Sequence, residues 1–402
     1  MKLIDVLRQL YVRAAMENLK EFQRDEFGRY VLFAVALWSV SLLGYTFLCG
    51  SLFDYKHYLE QWQLMLSGGD PWSTDNTYGP LHNIIGYATL IHPLAPKLLM
   101  VGSLLVANFT LVLRLLEVRG VSRSFVPYLL AVPTNILTLG IGLTFGLNDT
   151  LVATFLIFAA LARLSENRKT TGILIGLAAL VKFYPLLLTP FFALDRDRKI
   201  SWSILMSSGF TFIFGLVGAF LIWGTGFFAA IENGASRGAS LMSILTYMQG
   251  GEFLEILKNF LVKYNAIIVI LTSIFYFAYC LKVRLTWLYA VVIGYLLILM
   301  TYKVGHQQFF LPWLFLVSAL PLLKEKQSDS LSFAMIPLVI YLAFFHFSFD
   351  LGSNLMGNRA EWVESSAGLI SFVVELLSVA LSFFIVFRGG TKFVQEAVEN
   401  AK

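Results

Sequence analysis

The sequence predicts an all-α, multi-pass membrane protein, and three observations support this fold class. Of its 402 residues, 57% are apolar and only 14% are charged, whereas soluble domains average about 45–50% and about 25%. The mean hydropathy is +0.73. The apolar residues also fall in long runs, and about 20 in succession are enough to cross a bilayer as a helix. This composition excludes a disordered chain, a cytosolic enzyme and, with only two cysteines, a disulfide-rich secreted protein.

The apolar runs predict about ten full spans within a single transmembrane domain, residues 30–387. The predicted spans are 30–50, 97–116, 125–144, 149–164, 201–223, 261–282, 285–302, 307–323, 331–347 and 365–387. Three outer loops are long enough to contain helices of their own: 51–96, 224–260 and 348–364.

The charges predict how the chain is oriented. Residues 1–29 contain six Lys and Arg that alternate with apolar residues, which is typical of an amphipathic helix on the membrane surface. Most of the 30 Lys and Arg fall on the same side as these residues and the tail, residues 388–402. The positive-inside rule therefore predicts that both termini are cytoplasmic. The net charge of +5 is then explained by cytoplasmic loops, so no nucleic-acid partner is expected.

The apolar run at 172–194 predicts a broken helix rather than a simple span. Basic clusters flank it on both sides, and its middle contains Lys182 and Pro185, which would interrupt a continuous helix. A hairpin of two half-helices that enters and leaves on the cytoplasmic side satisfies both observations. Such a break is tolerated at membrane depth only where protein or a watered cavity covers the backbone.

Asp54 directly follows the first predicted span and has aromatic neighbours. An ionisable group at the mouth of a span is a functional candidate, and a partly buried carboxylate is suited to act as a general base. Tyr55 and His57 beside it, and Tyr78 farther along the same loop, are candidate substrate contacts. The alternatives are an exposed loop aspartate without function and, for the Tyr-Gly-Pro sequence at Tyr78, a structural loop-to-helix junction.

Polar residues near other spans are further candidates for substrate binding. Asn148 and Asp149 open the fourth predicted span, where an N-cap is the alternative. Lys182, with Tyr184 beside it, is expected to meet an anionic partner at the hairpin tip, unless it snorkels to water. Arg237 is one of few arginines in the outer loops.

A cluster between the predicted spans 285–302 and 307–323 provides hydrogen-bond donors. Lys303, His306, Gln307 and Gln308 lie within six residues, a set suited to binding a phosphate. A polar turn between two spans is the alternative. A general base together with phosphate-binding donors, all at the outer face, indicates group transfer from a lipid-linked phosphate. The sequence contains no P-loop or zinc-binding cysteine and histidine pattern, so soluble nucleotide chemistry is not indicated.

Seven short motifs occur along the chain in a distinctive order. They are Asp54-Tyr55, Tyr78-Gly79-Pro80-Leu81, Asn148-Asp149, Lys182-Phe183-Tyr184-Pro185, Lys303-Val304, Gln308-Phe309-Phe310-Leu311 and Trp313. This order resembles the integral-membrane GT-C glycosyltransferases, in particular the mannosyltransferases that use polyprenyl- or dolichyl-phosphate mannose. The resemblance covers about residues 50–320. It includes the first mannosyltransferase of glycosylphosphatidylinositol synthesis and the bacterial and archaeal α-mannosyltransferases.

The resemblance implies a GT-C-like bundle with a catalytic aspartate in the first outer loop, a role that falls on Asp54. It also implies that Lys303, His306 and Gln308 cradle the phosphate and sugar of the donor. The glycosylphosphatidylinositol branch has a paired Asp-x-Asp, but Leu52 stands where its first aspartate would be. This departure favours the microbial branch. A lipid-phosphate leaving group needs no diphosphate-bound metal, so neither a metal nor another cofactor is expected.

The resulting hypothesis is an inverting glycosyltransferase at the outer face of the plasma membrane. It would move a hexose, mannose by resemblance, from a polyprenyl- or dolichyl-phosphate sugar to a hydroxyl of a glycan or glycolipid acceptor. Two alternatives stay open. Broken helices also fit a flippase or transporter of a lipid-linked sugar, although the halves of the sequence show no repeat. An O-antigen-type ligase or polymerase would use a diphosphate-linked donor.

Overall fold

The structure is a computed structural model that describes most of the chain. The described residues are 26–52, 54–74, 76–117, 147–195, 199–236, 251–283, 285–303, 307–323 and the single positions 373, 377 and 380. They form helices and connecting turns, and within these ranges no β-strand is present beyond one isolated bridge between Leu194 and Ile200. The described part therefore confirms the all-α class.

The α-helices are numbered here in chain order over the described ranges. They are α1 (Glu26–Leu48), α2 (Asp54–Leu66), α3 (Pro80–Gly86), α4 (Ala95–Glu117), α5 (Asp149–Leu164), α6 (Arg168–Val181), α7 (Thr189–Phe192), α8 (Trp202–Trp223), α9 (Phe227–Ser236), α10 (Glu252–Lys263), α11 (Asn265–Val283), α12 (Trp287–Thr301) and α13 (Phe310–Ser318). Short 3₁₀ helices are found at Tyr87–Leu90, Tyr184–Leu188, Gly224–Gly226, Gln307–Phe309 and Leu320–Leu323.

Four helical segments of the described chain are long and apolar enough to cross a membrane. They are Arg29–Leu48, Ala95–Glu117, Trp202–Gly234 and Asn265–Val283. Their positions agree with the spans predicted at 30–50, 97–116, 201–223 and 261–282. Many of their large apolar side chains are exposed, for example Phe33 and Phe214, as expected of surfaces that face lipid rather than water. The chain is therefore a membrane protein.

Three other predicted spans are helices that are too short to cross a bilayer on their own. α5 has 16 residues, α12 has 15 and α13 has 9, so even α5 extends only about 24 Å. Most of their residues are buried, so these helices occupy the interior of the bundle.

Several predicted segments lie outside the described residues. These are the spans at 125–144 and 331–347, nearly all of the span at 365–387, the loop 348–364, the tail 388–402 and most of the N-terminal segment 1–29. The total of ten spans stays a prediction. The last four residues of segment 1–29 belong to α1, which begins at Glu26 rather than at residue 30.

The run at 172–194 is broken as predicted, and the chain turns back on itself there. α6 ends just before Lys182, which has an extended backbone, and the chain continues through a 3₁₀ helix into α7. The two ends of the segment meet. Arg163, at the end of α5, donates hydrogen bonds to the carbonyls of Phe192 at 3.2 Å and Leu194 at 3.1 Å. The hairpin therefore starts and finishes at the same end of the bundle.

An ion-paired cluster closes the base of this hairpin. The Asp195 carboxylate pairs with Arg163 and, at 3.2 Å, with Arg168. The buried Arg163 guanidinium also lies 5.8 Å from the ring centre of Trp287 in α12. These contacts fix the hairpin to α12 at the end away from its tip.

α6 packs against α8 through a seam of small residues. A side chain at Gly172 would clash with Ile204 and Ser207, and a Cβ at Gly176 would lie 2.7 Å from the Cβ of Thr211 and 2.8 Å from the carbonyl oxygen of Ser208. Small residues four apart let helix backbones approach closely, which is how helices associate in membranes where hydrocarbon surrounds them.

Both described outer loops contain helices, as predicted. The loop 51–96 holds α2 and α3, and the loop 224–260 holds α9 and α10, with residues 237–250 outside the described part. α9 is tied to the first loop, because the Asn233 amide donates to the carbonyls of Trp72 at 3.4 Å and Asn76 at 3.3 Å. α10 has no buried residue.

We expect the substitution Gly176→Leu to destabilise the protein. A leucine cannot fit the seam without separating α6 from α8, and overpacking of this kind costs about 1–3 kcal/mol. Gly209→Leu is the matched control on α8, because a Cβ there meets no atom within 4 Å. Thermal unfolding in detergent should show a lower midpoint for Gly176→Leu alone. Equal midpoints for the two variants would contradict the seam.

Candidate active site

α2 places Asp54 at its first turn and turns an aromatic face inward. Tyr55, Tyr58 and Trp62 share one side of the helix and are buried. The Tyr55 hydroxyl donates to the carbonyl of Pro93 at 2.7 Å and so fixes the start of the helix. Asp54 itself is exposed, where the sequence suggested partial burial. Its negative charge lies at the end of the helix that favours an acidic side chain.

A buried ion pair forms at the tip of the hairpin. The Lys182 ammonium lies 2.6 Å from the Asp149 carboxylate, and the Tyr184 hydroxyl donates to the same carboxylate at 3.3 Å. Asp149 belongs to the first turn of α5, so α5 and α6 run antiparallel and bring the two charges together. Lys182 was expected to meet an anionic partner, and Asp149 is that partner. The alternative that Lys182 snorkels to water is wrong, because its side chain is only 8% exposed.

Two aromatic residues complete the surroundings of this pair. The Tyr295 hydroxyl on α12 lies 2.9 Å from that of Tyr184 and 2.8 Å from the carbonyl of Phe309. The Lys182 ammonium also lies 4.5 Å from the ring centre of Phe309, a distance at which a cation is attracted to an aromatic face. The ammonium is therefore held in place by both charge and ring contacts.

The Tyr-Gly-Pro segment connects the first loop to the hairpin tip. The backbone N–H of Gly79 donates to the carbonyl of Val181 at 2.9 Å, and any Cβ at Gly79 would clash with the carbonyl of Leu180. Only glycine permits this approach. The structural interpretation of the motif is thus confirmed for Gly79, while the Tyr78 ring faces Lys182 at 5.5 Å.

Asn265 positions the segment that carries Lys303. Its amide oxygen accepts the backbone N–H of Lys303 at 2.9 Å, and its amide nitrogen donates to the carbonyl of Thr301 at 2.7 Å. Asn265 is buried at the start of α11. Burial also lowers the pKa of the Lys303 ammonium. Asn265 was not among the residues predicted from the sequence, although a polar residue inside a predicted span was the signal that could have identified it.

These elements enclose a cavity of about 390 Å³, a size within the usual range for small-molecule sites. Three lysines and one aspartate line it, namely Lys182, Lys263, Lys303 and Asp54. Neutral polar and aromatic residues complete the wall, among them Thr77, Tyr78, Tyr184, Asn265, Tyr302, Gln308 and Phe309. The excess of ammonium groups suits an anionic ligand such as a phosphate.

The structure brings together six of the residues selected from the sequence. Asp54, Tyr78, Lys182, Tyr184, Lys303 and Gln308 line the same cavity, and Asp149 supports it through Lys182. Three of the predicted substrate contacts lie away from this cavity. Tyr55 lies on the buried face of α2, His57 is exposed beside Glu60 at 3.3 Å, and Asn148 contacts His82.

Three of the residues selected from the sequence cannot be placed relative to the cavity. Arg237, His306 and the side chain of Gln307 lie outside the described residues. Asn148 occupies the N-cap position of α5 as the alternative predicted, but its side chain makes no capping hydrogen bond there. Over the described ranges, no group of three or more His, Cys, Asp and Glu could hold a metal, and metal independence stays a prediction.

We expect the substitution Asp149→Asn to destabilise the protein more than the double substitution Asp149→Asn and Lys182→Met. Removing one partner of a buried ion pair leaves an uncompensated charge, which costs about 3–5 kcal/mol. Removing the second charge restores part of that loss. Thermal unfolding in detergent of the single and double variants checks this order. A double variant less stable than Asp149→Asn would contradict the buried pair.

Comparison with protein families identifies the chain at the family level. The family model described as glycosyltransferase family 87 matches residues 76–308 of the sequence. This region contributes every cavity residue named above except Asp54, which precedes it, and Phe309, which directly follows it. Comparison with curated proteins gave no match to the chain. Because the family match covers more than half of the sequence, the chain belongs to glycosyltransferase family 87 and is a membrane glycosyltransferase.

Proposed function

We propose that this glycosyltransferase moves a hexose, mannose by the resemblance noted above, from a polyprenyl- or dolichyl-phosphate sugar to a hydroxyl of a glycan or glycolipid. One observation carries the proposal: a carboxylate and three lysines line a single cavity in a chain of a glycosyltransferase family. The carboxylate supplies the base that the reaction needs, and the ammonium groups supply the counter-charge for a phosphate leaving group.

The proposed reaction is a single displacement. Asp54 accepts the proton of the acceptor hydroxyl as the acceptor oxygen bonds to the anomeric carbon of the sugar. The bond from that carbon to the phosphate oxygen breaks at the same time, and its electron pair leaves with the polyprenyl phosphate. Attack from the side opposite the leaving group inverts the anomeric configuration.

The positions of the charged groups fit a division of labour within the cavity. Asp54 is exposed, so an acceptor arriving from outside the protein reaches it directly. Lys182 is buried and fixed by Asp149, and Lys303 is buried and its backbone is fixed by Asn265. Ammonium groups held rigidly before the reaction stabilise developing charge most effectively, because they need no reorganisation. Gln308 adds a neutral donor beside them.

The remaining parts of the proposal concern the membrane. The active site lies at the outer face, the termini lie in the cytoplasm, and the enzyme acts in the plasma membrane. The separation of charges in the structure supports this arrangement. The cavity lies at one end of α5 and α6, and the positively charged cluster of Arg163 and Arg168 lies at the other end. Positively charged ends of membrane helices face the cytoplasm. Membership of a glycosyltransferase family favours transfer over the flippase alternative.

We expect Asp54→Asn to lower the transfer rate by at least about 100-fold, because general-base catalysis contributes about 10²–10⁴-fold. Asparagine preserves the shape of the side chain but accepts no proton. The measurement is transfer of radiolabelled mannose from polyprenyl-phosphate mannose to octyl α-mannoside by the protein in membrane vesicles.

Glu60→Gln is the matched control for this experiment, because Glu60 is an exposed carboxylate on the same helix. We expect it to retain the wild-type rate. Near-normal transfer by an Asp54→Asn variant that reaches the membrane in normal amount would refute the role of Asp54.

We expect chelation of divalent metals with EDTA to leave the transfer rate unchanged. The monophosphate leaving group carries less charge than a diphosphate, and the lysines of the cavity provide its counter-charge. Initial rates before and after treatment provide the measurement. A loss of activity that Mg²⁺ or Mn²⁺ restores would show that the expectation is wrong.

A further inference from the structure

His82 is a fully buried histidine that the function proposed above does not use. It belongs to α3 and does not line the cavity. Its Nδ1 lies 3.0 Å from the Oδ1 of Asn148, and its Nε2 lies 3.3 Å from the Oε1 of Gln61. The rings of Tyr58 and Tyr78 pack on it, each with its centre 4.8 Å away. Both of its nitrogens and its ring therefore have defined contacts.

The two hydrogen-bond partners of His82 belong to the two elements that carry the charged groups of the active site, and each of these elements is called a wall below. Gln61 lies two turns along α2, the helix that begins at Asp54. Asn148 directly precedes Asp149, the partner of Lys182 in the hairpin tip. The imidazole thus bridges the wall that carries the carboxylate and the wall that carries the buried ion pair.

The protonation of His82 makes this bridge directional. Burial lowers its pKa to about 3, so at neutral pH the ring donates through one nitrogen and accepts through the other. One of the two amides must therefore present its NH₂ group to the ring. The Nδ2 of Asn148 is buried and has no partner among the described residues. An Asn148 amide turned toward Nδ1 satisfies this nitrogen and leaves the Nε2–H to donate to Gln61.

We propose that His82 is a positioning residue for glycosyl transfer, which sets the separation between Asp54 on α2 and the ion pair at the hairpin tip. The inference rests on the roles proposed for Asp54 and Lys182. His82 acts without touching substrate, because it is buried behind Tyr58 and Tyr78. Its bonds run to one residue of each wall, so losing them lets the walls shift relative to each other while each wall stays intact.

The substitution His82→Phe tests this role, because it keeps a ring for packing and removes both hydrogen bonds. We expect kcat to fall by about 10- to 100-fold, because small misplacements of catalytic groups cause losses of this size. The KM for polyprenyl-phosphate mannose should change by less than about twofold, since the phosphate-binding lysines are untouched. Rates are expressed per folded enzyme, measured by size-exclusion chromatography, so that a loss of folded protein does not count as a loss of kcat.

A conservative variant separates positioning from packing. The side-chain amide of His82→Gln can donate and accept like a neutral imidazole, and we expect it to recover part of the lost kcat. His92→Phe is the matched control, because His92 is an exposed histidine of the same loop, and it should have the wild-type kcat. If His82→Phe does not fold, Gln61→Leu removes one end of the bridge and should lower kcat in the same way.

Two results would overturn the inference. One is a kcat for folded His82→Phe, or for Gln61→Leu in its place, within about twofold of the wild type. The other is a His82→Gln variant no more active than His82→Phe. Failure of the proposed function is distinguished by Asp54→Asn. If Asp54→Asn transfers mannose normally, the proposed function is wrong. If Asp54→Asn is inactive and His82→Phe is active, only the role of His82 is wrong.

Discussion

A lysine buried at the tip of a broken helix needs a nearby negative charge, and the organisation of this protein follows from that need. An unpaired buried charge costs several kcal/mol, so the break at Lys182 exists only where Asp149 can meet it. α5 and α6 run antiparallel across a three-residue turn, and this arrangement brings the start of α5 to the hairpin tip, where the requirement is met. Tyr184 and Tyr295 then complete the surroundings of the pair. The cavity forms beside this arrangement, so its shape depends on one ion pair.

The contrast between the charged groups of the cavity has chemical meaning. Asp54 is exposed at the start of a helix, whereas Lys182 is enclosed and Lys303 is held through its backbone by Asn265. A base must exchange protons with an incoming acceptor and later with water, which requires access. Groups that stabilise a leaving phosphate work best when they are rigid and poorly solvated. In the proposed reaction, the protein separates these two requirements between a first-loop helix and the interior of the bundle.

Local sequence patterns predicted much of the fold and part of the site. Hydropathy predicted the four long helices, and the charge and proline at Lys182 and Pro185 predicted the broken helix, because both signals act over a few residues. The pairing of Lys182 with Asp149 could not be deduced, since it joins residues 33 apart in sequence. Tyr55 and His57 were predicted to contact the substrate because they are next to Asp54 in the sequence. The helical spacing of Tyr55, Tyr58 and Trp62, which sets the buried face of α2, decides instead where they point. Asn265 was missed because its role is to hold backbone that is distant in sequence.

The glycine seam between α6 and α8 has a consequence for how the proposed lipid-linked donor reaches the cavity. Two close-packed backbones without bulky side chains between them resist sliding, and the arginine cluster closes the far end of the same hairpin. The hairpin and α8 therefore behave as a single rigid wall. If the donor proposed above is the substrate, its polyprenyl chain enters the cavity away from this wall. α10 lines the cavity through Val262 and Lys263 and has no buried side chain. Among the described helices that line the cavity, α10 is therefore the one that can move aside without breaking a buried contact.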